Sequence, residues 1–193
     1  MKPDLLFETI RCEDGVVAHL SYHQKRLTAS LQCLGSKTHF DLEKLIVPPS
    51  KELYRCRFIY DTADYRIEFH PYTPRPITSL RLVLDDTIHY PLKYTHRDHL
   101  NALFERRESC NDVLIVKKGL LRDTSIANIA LFIDGQWLTP QVPLLQGTTR
   151  ARLIDEGFLL PSVLTPNDVS KAQKVAIMNA MVGFVEIENG IIM

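Results

Sequence analysis

Apolar positions along this chain recur with two different periods, and the changes between them mark out its elements. Leu5 to Arg11 reads as a strand, and Glu13-Asp14-Gly15 turns it into a second, Val16 to His19. Ser21-Tyr22-His23-Gln24 has the Ser-x-x-Gln form of a capping box. Leu27, Leu31 and Leu34 then follow along one helical face, with Gly35 as the stop. Asp41 to Val47 is expected to form a short second helix ended by Pro48-Pro49. From Leu53 to Tyr60, Tyr54, Cys56, Phe58 and Tyr60 alternate with Arg55, Arg57 and Ile59, which predicts a strand with one aromatic face. A turn at Asp61-Thr62-Ala63-Asp64 leads to its hairpin partner, Tyr65 to Tyr72.

Pro71, Pro74 and Pro76 interrupt the pattern, so a domain boundary is expected there: a small α+β domain over 1–76 and a larger mixed domain over 77–193. The second part opens with Leu80, Leu82 and Leu84 alternating in a strand. Thr95 is placed to cap a helix carrying Leu100, Leu103 and Phe104. Asp112 to Lys117 and Ile126 to Ile133 are apolar and β-branched, hence strands, and Asp134-Gly135 is a hairpin turn before Trp137-Leu138-Thr139-Pro140. Thr148 to Phe158 reads as a helix with Leu153 and Ile154 inward. Thr165-Pro166-Asn167-Asp168 has the cap, first-turn proline and early acid of another. Lys174 to Met178 is a strand, and a last hairpin is expected at Asn189-Gly190. The fold class is α+β.

Composition narrows the function without naming it. The 193 residues are 45% hydrophobic and 24% charged, as in ordinary globular proteins. Twenty-three basic residues balance 23 acidic ones, so no net field favours nucleic acid or an anionic membrane. Cys12, Cys33, Cys56 and Cys110 are too dispersed for a paired metal-ligand motif. Met1-Lys2-Pro3-Asp4 carries no apolar leader, and no apolar run approaches the ~20 residues of a membrane span. A reduced, cytoplasmic protein is expected. His19 and His23, or His96 and His99, have helical spacing, but no third ligand joins either pair, so no metal is expected. Ser125 and Ser162 lack the Gly-x-Ser-x-Gly elbow of a serine hydrolase.

Three features can carry chemistry. Lys93, between Pro91 and Thr95, is either a solvated surface charge or an amine able to form a Schiff base. Asp123 is either a turn acid or a counter-ion for a pyridinium nitrogen. Gly147-Thr148-Thr149-Arg150 opens a helix and offers amides, hydroxyls and a dipole, which serve ordinary capping or a phosphate equally well.

Taken in order, these pieces resemble the class IV pyridoxal-phosphate family of branched-chain and D-amino-acid aminotransferases and 4-amino-4-deoxychorismate lyase. Phe7-Glu8-Thr9-Ile10-Arg11 is similar to its early strand, and His23-Gln24-Lys25-Arg26-Leu27 to the helix whose arginine reaches the cofactor phosphate. Lys93 matches the Schiff-base lysine, and Lys93-Tyr94-Thr95-His96-Arg97 is closer to the lyase form. Asp123, five residues before Asn128, occupies the place of the glutamate that binds the ring nitrogen. Gly147-Thr148-Thr149-Arg150 resembles the phosphate-binding segment, and Met178-Asn179-Ala180-Met181 the loop that closes the phosphate site.

The resemblance implies the two-domain class IV fold with a truncated N-terminal domain, because the chain starts almost at the Phe-Glu-Thr strand. It implies pyridoxal 5′-phosphate as cofactor, Lys93 as the catalytic amine and Asp123 at the ring nitrogen. Arg26, Gly147, Thr148, Thr149, Asn179 and Ala180 would surround the phosphate. A small amino substrate, a homodimer, and elimination of pyruvate to give 4-aminobenzoate for folate synthesis are the further expectations. Amino-acid transamination is the rival activity. An inactive binding or structural subunit is the rival class, since Asp123 is one methylene shorter than glutamate.

Overall fold

A computed structural model describes residues 5–188 and 190–192. The chain separates into two compact units. Unit 1 comprises the described residues up to Pro74 together with Leu92–His96, and unit 2 comprises Arg75–Pro91 and the described residues from Arg97 onward.

Unit 1 is a four-stranded sheet with one long helix. Its elements are β1 (Leu6–Glu13), β2 (Val16–Val17), α1 (Leu20–Cys33), α2 (Leu42–Leu45), β3 (Tyr54–Tyr60) and β4 (Tyr65–Pro71), with sheet order β2-β1-β3-β4. The β1–β2 hairpin turns on Asp14 and Gly15, whose φ angles of 54° and 77° match the right-handed strand twist. On β3 the alternation behaves as expected, and Cys56, Phe58 and Tyr60 enter the core with Leu6, Ile10, Leu27 and Leu31. The expected cap of α1 fails. The helix begins at Leu20, and its cap is His19 in the left-handed region at φ 50°, with no side-chain cap bond, so Ser21-x-x-Gln24 is no capping box. Gln24 instead reaches out of the helix to the Phe40 carbonyl and the Leu42 amide, fastening the following loop.

The segment Leu92–His96, expected in the second domain, packs into unit 1. Its backbone continues the edge of β1: the Phe7 amide donates to the Lys93 carbonyl at 2.9 Å, and the Thr95 amide to the Leu5 carbonyl at 2.8 Å. Leu92 and Tyr94 cover the same core. Local periodicity cannot register such an excursion, because the partner strand lies far away in sequence. Thr95 therefore caps no helix.

Unit 2 holds a nine-stranded sheet. In chain order come β5 (Leu80–Leu84), α3 (Asp98–Phe104), β6 (Asp112–Lys117), β7 (Leu120–Thr124), β8 (Asn128–Ile133), β9 (Gln136–Pro140) and α4 (Thr148–Asp155). They are followed by β10 (Leu160–Ser162), α5 (Pro166–Val169), β11 (Lys174–Asn179), β12 (Gly183–Ile187) and β13 (Ile191–Ile192). The main path runs β10-β9-β8-β7-β6-β5-β13, and β11, paired with β12, also pairs with β8. Residues of β8 and β11 alternate between two apolar clusters: Ile129, Leu131, Val175 and Ile177 on one, Ala130, Ala176 and Met178 with Trp137 and Leu153 on the other. Burial on both faces explains why β8 reads as an unbroken apolar run.

β7 is an addition to the expected elements, and it places Asp123 within a strand rather than in a turn. Thr165 and Asp168 do form a reciprocal capping box. The last hairpin is β11–β12 and turns at 180–182, whereas β13 pairs in parallel with β5. Asn189, half of the expected turn, lies outside the described residues. No helix among the described residues is long and apolar enough to cross a membrane.

Candidate active site

Of the residues singled out in the sequence, Arg26 and Lys93 lie in unit 1, and Asp123, Gly147, Thr148, Thr149, Asn179 and Ala180 in unit 2. In unit 1 the period-two alternation of β1 puts Glu8 at a core position between Leu6 and Ile10, fully buried. An isolated carboxylate there would be costly. α1 supplies the compensation from two residues spaced three apart on one face. The Arg26 fork donates to Glu8 through Nε at 2.9 Å and Nη2 at 2.5 Å, and His23 Nδ1 donates to Glu8 Oε2 at 2.6 Å.

Burial by itself would push the Glu8 carboxyl up, but the Arg26 charge and the His23 bond more than offset it and hold the group at about 2. Burial lowers His23, and the Glu8 contact opposes that only in part, while the charges of Arg26 and Lys93 add to the lowering. Glu8 is thus anionic and His23 neutral at pH 7, which assigns the imidazole proton to Nδ1. Arg26, expected at a phosphate, spends Nε and one amino group on Glu8.

Lys93 is half-buried, not a fully solvated charge. Its ammonium lies 4.7 Å from the centroid of the Phe7 ring, and the Arg57 guanidinium lies 5.1 Å from the same centroid. Because the backbone on both sides of Lys93 is hydrogen-bonded to β1, the side chain departs from a fixed base.

In unit 2, β7 meets β8 at one residue pair, Asp123 with Asn128. Asp123 is 4% exposed. Asn128 Nδ2 donates to its Oδ1 at 2.8 Å and also to the Leu145 carbonyl at 3.0 Å, while the Leu145 amide donates to Asp123 Oδ2 at 2.8 Å. Burial raises the Asp123 carboxyl to about 6, against the opposing effect of those two bonds and of the Arg150 charge. A carboxylate has about four lone-pair sites, and the Asn128, Leu145 and Leu144 groups that face this one leave it unfilled. The remaining capacity, in a buried acid whose ionisation is disfavoured, suits a cationic N–H donor.

The loop that delivers Leu145 runs directly into α4. Gly147 is its cap, at φ −71° and ψ 140°, so no special backbone conformation requires glycine here. Space does: a Cβ on Gly147 would stand 1.8 Å from Asn128 Oδ1. The first intrahelical bond is from the Ala151 amide to the Gly147 carbonyl, which leaves the preceding amides of the first turn without helical acceptors. Thr148 and Thr149 are buried, yet their hydroxyls bond no other described residue. Amides, a helix dipole and two hydroxyls at one point form an anion-binding start.

Asn179 closes the β11–β12 turn. Its Oδ1 accepts from the Met181 and Val182 amides at 2.9 and 3.1 Å, and its Nδ2 donates to the Ile126 carbonyl at 3.4 Å. Only the backbone of Asn179 and half-buried Ala180 is left for a ligand. Sequence reasoning missed Glu8, His23, Asn128 and Arg150. Glu8 and His23 left a signal, since both fall on buried positions of otherwise apolar periods. Within their own units these groups fit pyridoxal phosphate: an amine for the aldehyde, a buried carboxylate for the ring nitrogen and an anion-binding helix start for the phosphate.

Comparison with known proteins points the same way. A family model described as amino-transferase class IV matches residues 70–189. An uncharacterised protein of Haemophilus influenzae is 33% identical over 184 residues, covering 92% of this chain and 98% of that one. A solved structure from Haemophilus somnus, described provisionally as a 4-amino-4-deoxychorismate lyase, is 34% identical with a TM-score of 0.88, over 95% of this chain and 99% of that one. A hypothetical aminotransferase of Mycobacterium tuberculosis, solved in its pyridoxal-phosphate-bound form, has a TM-score of 0.81 at 19% identity, over 96% and 81% of the two chains, a likeness of fold alone.

Proposed function

This chain belongs to the class IV amino-transferase family, whose members use pyridoxal phosphate, and on that premise we propose that it is an active lyase. Its substrate would be 4-amino-4-deoxychorismate, which loses pyruvate to give 4-aminobenzoate. The observation that carries a cofactor-dependent reading is Asp123: an acid buried in a strand, held by Asn128 and Leu145, with acceptor capacity to spare. The likeness to the Haemophilus somnus structure supports the lyase over the transaminase.

When bound, pyridoxal phosphate supplies an electron sink for the charge released as substrate bonds break. Lys93 is the amine that holds the cofactor and the base that carries a proton at Nζ. Loss of pyruvate needs a proton removed from carbon and one delivered to the departing enol, and a single amine can do both in turn. Asp123 would accept a hydrogen bond from the ring nitrogen and favour its protonated form. The α4 start with Thr148 and Thr149 and the Asn179-Ala180 backbone would hold the phosphate. A homodimer is part of the proposal and is tested by light scattering on the purified chain.

Adding pyridoxal phosphate to the purified protein should produce a visible absorption band that Lys93→Ala abolishes. With aminodeoxychorismate, pyruvate should appear without any keto-acid acceptor. Turnover that requires an acceptor would instead make the protein a transaminase. No band, or a band untouched by Lys93→Ala, would leave a binding or structural subunit.

A further inference from the structure

Arg150 is 5% exposed on α4, and its fork bonds only neutral acceptors: Thr139 Oγ1 at 3.3 Å, the Pro140 carbonyl at 2.8 Å and Gln146 Oε1 at 3.2 Å. No carboxylate bonds it among the described residues. Asp123 is the converse, a buried acid that bonds no cation among the described residues. Buried charges without a direct partner are rare and costly, and here one of each sign occurs in the same unit. Asn128 bonds Asp123, and Gly147 adjoins both Asn128 and Arg150. The Asn128 amide fills the place a Gly147 Cβ would take, and the Arg150 Cβ lies 3.7 Å from that point.

The bonds of Arg150 have a second meaning. Pro140 and Gln146 are the two ends of the β9–α4 loop, and one guanidinium fastens both. Arg122 adds a bond to the Val142 carbonyl midway. That loop is what brings the Leu145 amide to Asp123 and the Leu145 carbonyl to Asn128. Gln141, Val142 and Gln146 are exposed, and Pro143 is the one buried residue of the loop, so the Arg150 and Arg122 bonds add to a single apolar anchor in fixing its course.

We propose that Arg150 is the positioning residue of the proposed ring-nitrogen site: its fork clamps the loop that orients Asp123. This inference rests on the cofactor reading of Asp123. Asp123 is faced by the Leu144 and Leu145 amides of the loop, by Asn128 from β8, and by the Arg150 charge from α4, which opposes the effect of burial. Burial in turn lowers Arg150, and Asp123 opposes that, so each charge supports the other.

The test uses the full chain without cofactor, carbon-13 NMR of the Asp123 carboxyl (assigned through Asp123→Asn), and hydrogen exchange at the Leu145 amide. In Arg150→Met the carboxyl midpoint should move upward by about one pH unit or more, the usual effect of removing a nearby opposite charge, and Leu145 should exchange at least tenfold faster, a loss of about 1.4 kcal/mol of protection. Arg150→Lys keeps the charge but cannot span Pro140 and Gln146, so it should quicken Leu145 exchange while moving the midpoint less. Folded variants with midpoint and exchange unchanged would overturn the proposal. Should Arg150→Met fail to fold, Arg150→Lys decides: unchanged Leu145 exchange overturns the clamp, and faster exchange with a near-normal midpoint supports it. Pyridoxal phosphate is then added to the wild-type chain. Absence of a visible band removes the cofactor reading, whereas the two apo measurements still judge the link from Arg150 to Asp123.

Discussion

Replacing Gly147 by alanine isolates the packing that surrounds Asp123 and Asn128. The backbone at 147 lies in the ordinary extended region, so alanine meets no conformational penalty and should gain ~0.4–1 kcal/mol through the unfolded state. Against this, the new methyl would lie 1.8 Å from Asn128 Oδ1 and 3.0 Å from its Cγ. Asn128 is 5% exposed, and its Nδ2 is committed to Asp123 and to the Leu145 carbonyl, so it cannot swing aside without losing both. One bond is charge-assisted, worth ~1.5–3 kcal/mol, and the other is neutral, worth ~1 kcal/mol. The net expectation is a loss of about 2–3 kcal/mol, or ~5–10 °C in Tm for a chain of this size. Thermal melts of four proteins provide the assay: wild type, Gly147→Ala, Asn128→Ala and the double variant. If the clash is with Asn128, Gly147→Ala should cost almost nothing once Asn128 is truncated, giving a coupling of about 2 kcal/mol. Equal costs in both backgrounds would refute the account.

Glu8→Gln leaves the Arg26 charge without its partner and should destabilise by ~3 kcal/mol, read from urea unfolding at pH 7. The Glu8 carboxyl sits at about 2 in the fold against its ordinary 4.5, a difference worth ~3 kcal/mol. That stability is present above pH 4.5 and lost as pH falls through 2, so Glu8→Gln should flatten the acid limb of a stability–pH curve. Asp123 runs the other way: with the folded group at about 6 against 3.8, it costs the cofactor-free fold up to ~3 kcal/mol as pH rises from 4 through 6. Asp123→Asn should remove that decline, and an identical slope in both proteins would contradict the burial of the ionised group. The double substitution Thr148→Val with Thr149→Val should weaken pyridoxal phosphate at least ~tenfold in an absorbance titration, yet leave pyridoxal itself unaffected. Equal weakening of both ligands would place the phosphate elsewhere.

The sequence by itself determined much of the local structure. Period two wrote β1, β3 and β5, Asp14-Gly15 and Asp134-Gly135 set the β1–β2 and β8–β9 hairpin turns, and Thr165 with Asp168 built a capping box. These depend on neighbours a few residues apart, where sterics and solvent exposure act directly on the pattern. Motif order also singled out Lys93, Asp123 and the Gly147 helix start as candidates for chemistry. Only the tertiary structure decided what surrounds them. Lys93 joins unit 1 because its backbone pairs with β1 some eighty-five residues earlier, a contact no local period encodes. Arg26 is engaged by Glu8, and Asp123 owes its orientation to Leu145 and Asn128 and its balance of charge to Arg150. A side chain's charge state depends on desolvation and on partners brought close by folding, and neither quantity exists until the chain has folded.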